Sequence, residues 1–248
     1  MAVILNDISA VEINKRDRDG RTGLFLACDA GNTGCVILLV EHPLIDDVNI
    51  PNRHGVTPLI ICATNGHSEC LRNLLRHRSI DVNKGDIDNR SALRHATLNN
   101  HIYITRLLLD VEGIDINKYD NDGDTVLNCA CRRGHSSIVR HLLSKEGIIV
   151  NRNDSNGWTP LYSACAHGQT EVVRLLLDVD GIDFNKTSSY GNTPLYSACW
   201  GGFIDIVKLL LSKPGIDTNK CSCLFSDPQY TARDRGFDDI VKLLKDFK

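Results

Sequence analysis

The sequence has little that would commit it to chemistry or to a membrane. Its 248 residues include one Met, two Trp and only 6% aromatic side chains. No apolar run approaches the roughly 18 residues of a membrane-spanning helix, so no membrane association is expected. No glycine-rich loop leads into a helix, as phosphate binding would require; the glycines fall one per turn at fixed phase. Positive charge is not in excess. With 28 Lys and Arg against 31 Asp and Glu the net charge is −3, so no nucleic-acid partner is expected. The first residues, MAVILNDISAVEIN, lack a basic lead and a small-residue cleavage site, so no signal peptide is expected. Ten cysteines without such a signal imply free thiols in a reducing compartment. The expected location is the cytoplasm, with the nucleus also compatible. A hydrophobic content of 42% is enough to bury a core.

What the sequence does contain is repetition. GWTPLYSACAHG at 157–168 returns as GNTPLYSACWGG at 191–202. An Asn keeps the phase: Asn14, Asn49, Asn83, Asn117, Asn151, Asn185 and Asn219, spaced by 35 residues once and by 34 thereafter. Eight residues after each Asn stands a helix-capping type (Thr22, Thr57, Ser91, Thr125, Thr159, Thr193, Asp227), able to accept from an orphan N–H of a helix start. Pro follows in four copies (Pro58, Pro160, Pro194, Pro228), where a first helical position tolerates it. One glycine precedes the cap by two residues, and a second follows the short first helix where a left-handed cap belongs. An apolar pattern such as TEVVRLLLD then supplies a second helix. Each unit reads turn, helix, loop, helix, and units of this kind bury their apolar faces only by stacking. Repeat three is expected to be the weakest, because Asn89 and Asn100 stand where other copies have Gly and no Pro follows Ser91.

These residues resemble the ankyrin repeat family. The likeness is carried by G-x-T-P-L (Gly55–Leu59, Gly157–Leu161, Gly191–Leu195), the Gly-His pairs at 66–67 and 134–135, the Leu triplets at 107–109, 175–177 and 209–211, and the D-x-N returns. It implies an all-α solenoid of helix-turn-helix units joined by β-turn or hairpin fingers. The chain then forms one repeat domain, residues 1–248. A leader at 1–13 precedes repeats at about 14–48, 49–82, 83–116, 117–150, 151–184, 185–218 and a C-terminal cap at 219–248. Two departures stand out. The unit is 34 residues rather than about 33, and the family His after T-P-L is replaced, for example by Tyr162 and Tyr196.

Two cysteine groups look like metal fragments. Cys129 and Cys131 with His135 diverge around a helix, since two residues turn a side chain by about 200°. Cys221 and Cys223 lack a second ligand pair. Closed zinc sites need four convergent ligands, so no metal or cofactor is expected. Cys28, Cys131, Cys165 and Cys199 share one repeat position. At a spacing of about 10 Å between neighbouring helices they are expected to act as small core hydrophobes, not as disulfides. No catalytic constellation is evident, and the chain is not expected to be an enzyme.

The resemblance further implies that a partner is held by the turn tips and the exposed face of the first helix, which line a concave groove. Six positions per repeat are variable there: two, four, five, seven, fifteen and sixteen after the phasing Asn. In repeats one to four they hold Arg16, Arg18, Arg21, Arg53, Arg90, Arg132 and Arg133 with several Asp, and none of the 11 Lys. In repeats four to six they hold Tyr119, Trp158, Tyr190 and Trp200, beside His167, and repeats five and six have no charged residue in these slots. Exposed aromatics are typical anchors and Arg is the cation favoured at interfaces. The implied partner is a protein with acidic and apolar segments, bound by a monomer. Trp158, Trp200, Tyr190, Tyr119, Arg132, Arg133, His167 and Arg90 are the candidate contacts. A regulatory or targeting domain of a larger enzyme or receptor chain, or a structural spacer, are the alternatives.

Overall fold

The structure is a computed structural model that describes residues 13–45, 47–220 and 227–247. The described residues form fourteen short helices in pairs: α1 (Gly23–Asp29) and α2 (Thr33–Val40), α3 (Pro58–Asn65) and α4 (Ser68–Leu74), α5 (Ala92–Leu98) and α6 (Ile102–Leu109), α7 (Val126–Arg133) and α8 (Ser136–Leu143), α9 (Pro160–Ala166) and α10 (Thr170–Leu177), α11 (Pro194–Gly201) and α12 (Ile204–Leu211), and α13 (Pro228–Asp234) and α14 (Asp238–Asp246). All seven expected caps form, from Thr22 Oγ1 accepting the Phe25 N–H at 3.2 Å to Asp227 Oδ1 accepting that of Tyr230 at 2.6 Å. Helices of seven to nine residues are marginal alone, so their stability comes from packing.

Two compact units divide the chain after Asn121. In the first, α1, α3 and α5 pack side by side, with α2, α4 and α6 as a second layer. In the second, α7, α9, α11 and α13 form one row and α8, α10, α12 and α14 the other. The Leu of each T-P-L or its equivalent (Leu59, Leu93, Leu127, Leu161, Leu195) is buried between the rows. The shared cysteine position is core as well: Cys28, Cys131, Cys165 and Cys199 are buried free thiols.

The phasing Asn is invariant for a physical reason. Asn151 donates from Nδ2 to the Gly181 carbonyl at 2.7 Å and accepts the Asp183 N–H at 2.9 Å, so its amide ties the start of a repeat to the turn that ends it. Asn49, Asn83 and Asn185 make the same pair of bonds. The Lys beside it adds a further tie, with Lys186 Nζ donating to the Asn151 carbonyl at 2.9 Å. These lysines have their own place in the scaffold, away from the groove slots.

The fingers between repeats are tight turns; the described residues contain no extended strand. Each turn is closed by a residue three after the phasing Asn. Asp154 Oδ1 accepts the N–H of Asn156 and of Trp158, both at 2.9 Å, and Asp17, Asn52 and Asp86 close equivalent turns. Successive turns are joined by main-chain bonds such as Ser189 N–H to the Asn156 carbonyl at 2.9 Å. That close approach dictates glycine: Gly157 has φ +76°, and a Cβ there would lie 2.5 Å from the Ser189 nitrogen. Repeat three breaks the rule as expected from its sequence. Asn89 and Asn100 hold φ of 61° and 57°, the only non-glycine residues with positive φ among those described.

Candidate functional site: an aromatic strip in the second unit

Trp158 stands at a turn tip, directly before the cap of α9. Its backbone is fixed by Asp154, and its carbonyl accepts from Asn128 Nδ2 at 3.3 Å. The indole leans on the buried Tyr162, centroids 5.1 Å apart, and meets the exposed His167 edge-on at 6.2 Å. His167 is oriented by an Nδ1 contact to the Ser163 carbonyl at 2.9 Å. Trp158 is therefore half-buried, with part of its area already used on the fold.

Trp200 lies in the last turn of α11 and is 49% exposed. Tyr196, one helical turn before it, stacks beside the ring at 6.4 Å and 22° between planes. Over the indole sits the Arg235 guanidinium, 4.5 Å from the ring centroid. Tyr190 crowns the next turn at 60% exposure, its N–H held by Ser188 Oγ at 3.3 Å. Exposed apolar side chains mark an interaction surface where they are grouped rather than scattered.

The arginines of the groove slots are mostly engaged within the fold. Arg132 Nη2 reaches Asp124 at 2.9 Å and Asp154 at 3.9 Å, and both carboxylates are buried. In the first unit, Arg90 pairs with Asp88 at 2.9 Å and lies 3.8 Å from the buried Asp120, which Arg94 also approaches at 3.5 Å. Arg21 pairs with Asp17 and Asp19. These arginines tie down the carboxylates that close the turns. Arg133, by contrast, is exposed. Tyr119 is 47% exposed in the first unit, where its carbonyl accepts from Asn89. The second unit thus holds Trp158, Trp200, Tyr190, His167, Arg132 and Arg133; Arg90 and Tyr119 belong to the first. Sequence reading missed Arg235, although its slot, sixteen residues after Asn219, placed it one repeat beyond the uncharged pair.

Three of the core thiols are poor nucleophiles. Burial pushes those of Cys131 and Cys165 well up and that of Cys199 to about 12. Among the described residues no group of three or more His, Cys, Asp or Glu side chains is placed to hold a metal ion, and no helix is long and apolar enough to cross a membrane. Cys221 and Cys223 lie outside the described residues.

Comparison with known proteins agrees with this geometry. The family pattern described as Ankyrin repeats (3 copies) matches residues 2–86, 78–154 and 147–221. Alpha-latrotoxin-Lhe1a of Latrodectus hesperus is 30% identical over 90 residues, 36% of this chain and 6% of the toxin. The SMC5-SMC6 complex localization factor protein 1 of Homo sapiens is 37% identical over 76 residues, 30% of this chain and 7% of that protein. The human photoreceptor ankyrin repeat protein is 36% identical over 76 residues, 31% of this chain and 17% of the relative. The chain therefore spans less than a fifth of each of these relatives. The solved ankyrin repeat domain of Bcl-3, described as a unique member of the IkappaB protein family, superposes with a TM-score of 0.78 at 27% identity, over 91% of this chain and 100% of that one. By pattern, helix pairing and structural likeness, this chain belongs to the ankyrin repeat family.

Proposed function

We propose that this chain is a non-catalytic protein-interaction module whose turn tips and first helices hold a segment of a partner protein, with Trp158, Tyr190 and Trp200 as anchors. Ankyrin repeats are generally protein–protein interaction modules and generally non-catalytic. The observation that carries the reading is the exposure of Tyr190 and Trp200, at 60% and 49%, in repeat six, whose groove slots, like those of repeat five, carry no charge. Aromatic anchors of this kind dominate binding energy where they occur. A structural spacer has no use for them. The module acts as a monomer in a reducing compartment, the cytoplasm on this reading, where its buried thiols stay reduced. The test is affinity capture from lysate with wild-type and Trp200→Ala protein side by side. A partner retained by the first and lost by the second supports the reading; identical captures overturn it.

A second reading has one specific support. The matched relatives are many times longer than this chain, which suits a targeting or regulatory domain cut from a larger protein. The length of the native transcript product separates the two.

A further inference from the structure

Arg235 is the C-cap of α13, sixteen residues after Asn219, and therefore occupies a groove slot of the last repeat. Its side chain is exposed and lies over the face of Trp200 at 4.5 Å. The carboxylates nearest in sequence do not neutralise it. Asp227 is the cap of α13 and accepts the Tyr230 N–H, and the exposed Asp234, in the adjoining groove slot, forms no ion pair with Arg235 among the described residues. The groove slots of repeats five and six contribute no Asp or Glu either. The Arg235 guanidinium, with the exposed Asp234 in the slot beside it, thus stands at the border of the uncharged groove slots of repeats five and six.

Stacking uses only the face of a guanidinium. Its N–H donors lie in the plane and remain directed outward, in the fork that matches a carboxylate. Holding the group against the indole also restricts its rotamers before any partner arrives, which lowers the cost of ordering it on binding. We infer that the Arg235–Trp200 pair recognises an Asp or Glu side chain of the bound segment, placed next to a bulky apolar residue that seats against the Trp and Tyr rings. The partner is an extended acidic-aromatic or acidic-aliphatic segment, and Arg235 is its specificity-determining contact. This rests on the reading of the aromatic strip as a binding surface.

The test is selection of short random peptides, displayed on phage as N-terminal fusions with no free C-terminus, on the full chain. Wild type is expected to enrich peptides with Asp or Glu beside an aromatic or Leu. A selected peptide, fluorescently labelled, should bind Arg235→Glu about tenfold or more weakly, as expected for loss of a charged hydrogen-bonded pair. Arg235→Lys should fall between, because ammonium cannot reproduce the fork. Reselection on Arg235→Glu should shift the enriched charge to Lys or Arg, a result that a merely structural loss would not produce. Melting curves of each variant keep folding separate from binding. An enriched motif without acidic residues, or unchanged affinity for Arg235→Glu while Trp200→Ala weakens binding, overturns this inference and leaves the aromatic reading standing. Indifference to Trp158→Ala and Trp200→Ala alike, or no enrichment at all, overturns both.

Discussion

Asn89 donates from Nδ2 to the carbonyl of Tyr119 at 2.7 Å while its own backbone holds φ at 61°. Lys118 Nζ completes the pair, donating to Asn89 Oδ1 at 2.8 Å. The sequence suggests that replacing both left-handed asparagines by glycine relieves strain, but the two sites differ. Asn100 is exposed, and Gly there should stabilise by about 0.5 kcal/mol, since a left-handed non-glycine residue costs of order 1 kcal/mol and glycine loses part of this to chain entropy. Asn89→Gly removes two hydrogen bonds to the next turn and should be neutral or destabilising by about 1 kcal/mol. Denaturant melts of the two single variants check this; equal gains would show that the Asn89 bonds contribute nothing.

Arg132 lies 2.9 Å from Asp124 and 3.9 Å from Asp154, whose carboxylate also orders the Trp158 turn. Arg132→Ala leaves two buried carboxylates without their cation. The expected loss is about 2 kcal/mol, below that of a fully buried pair because the Arg side chain is 33% exposed. Arg133→Ala, one residue on and exposed, should change stability by less than about 0.5 kcal/mol. Urea midpoints for the two variants decide it. Comparable losses at both positions would remove the distinction between scaffold and surface arginine.

Most of the fold was legible because its signals are local. Caps, helix-starting prolines and turn glycines report the backbone they sit in, and Thr159, Pro160 and Gly157 do so without reference to any neighbour. The Arg slots were harder. Their partners stand in other slots of the same repeat, as Asp124 does for Arg132 at 2.9 Å, or more distantly in the next, as Asp154 does at 3.9 Å, so a reading taken slot by slot sees exposed charge where the structure has pairs. The same holds for Arg235, whose ring contact is 35 positions away in the chain and beside it only once the repeats stack. Trp158 was legible as a groove residue but not as half-buried, because its support, Tyr162, replaces the family His with a much larger ring.

Burial holds the Cys199 thiol protonated up to about 12, against 9.0 for an ordinary thiol. Because the folded value is the higher one, this stabilising contribution is fully present below pH 9 and is lost as the pH rises toward 12. Within that window a thiol of this kind removes up to about 1.4 kcal/mol of stability per pH unit. Cys165, shifted in the same direction by burial, adds to the effect. The variant Cys165→Ala/Cys199→Ala should therefore show a shallower alkaline decline than wild type, whatever it loses at neutral pH. Stability measured from pH 8 to 11 provides the check, and parallel curves would mean that these thiols do not set the alkaline limit. Reductant should leave the melting temperature nearly unchanged.

The two tryptophans should behave differently when truncated, and the difference separates anchoring from packing. Trp158 is half-buried on Tyr162, so Trp158→Ala should cost about 1–2 kcal/mol of stability, a fraction of the 3–5 kcal/mol for a fully buried ring. For a chain of this size that is a fall of several degrees in melting temperature. Trp200 is 49% exposed, and its main intramolecular partner outside its own helix is Arg235. An exposed cation–π contact is worth about 0.5–1 kcal/mol, so Trp200→Ala should move the melting point by only a degree or two. Binding should respond in the opposite order of cleanliness. If Trp200 is an anchor, its loss should weaken affinity for a selected peptide by roughly 30-fold, the equivalent of about 2 kcal/mol at a hot spot, with the fold almost untouched. Trp158→Ala should lower both quantities together. Should Trp200→Ala instead melt many degrees lower and bind as wild type does, the ring under Arg235 is scaffold, and the binding surface must be sought on the turns of the first unit.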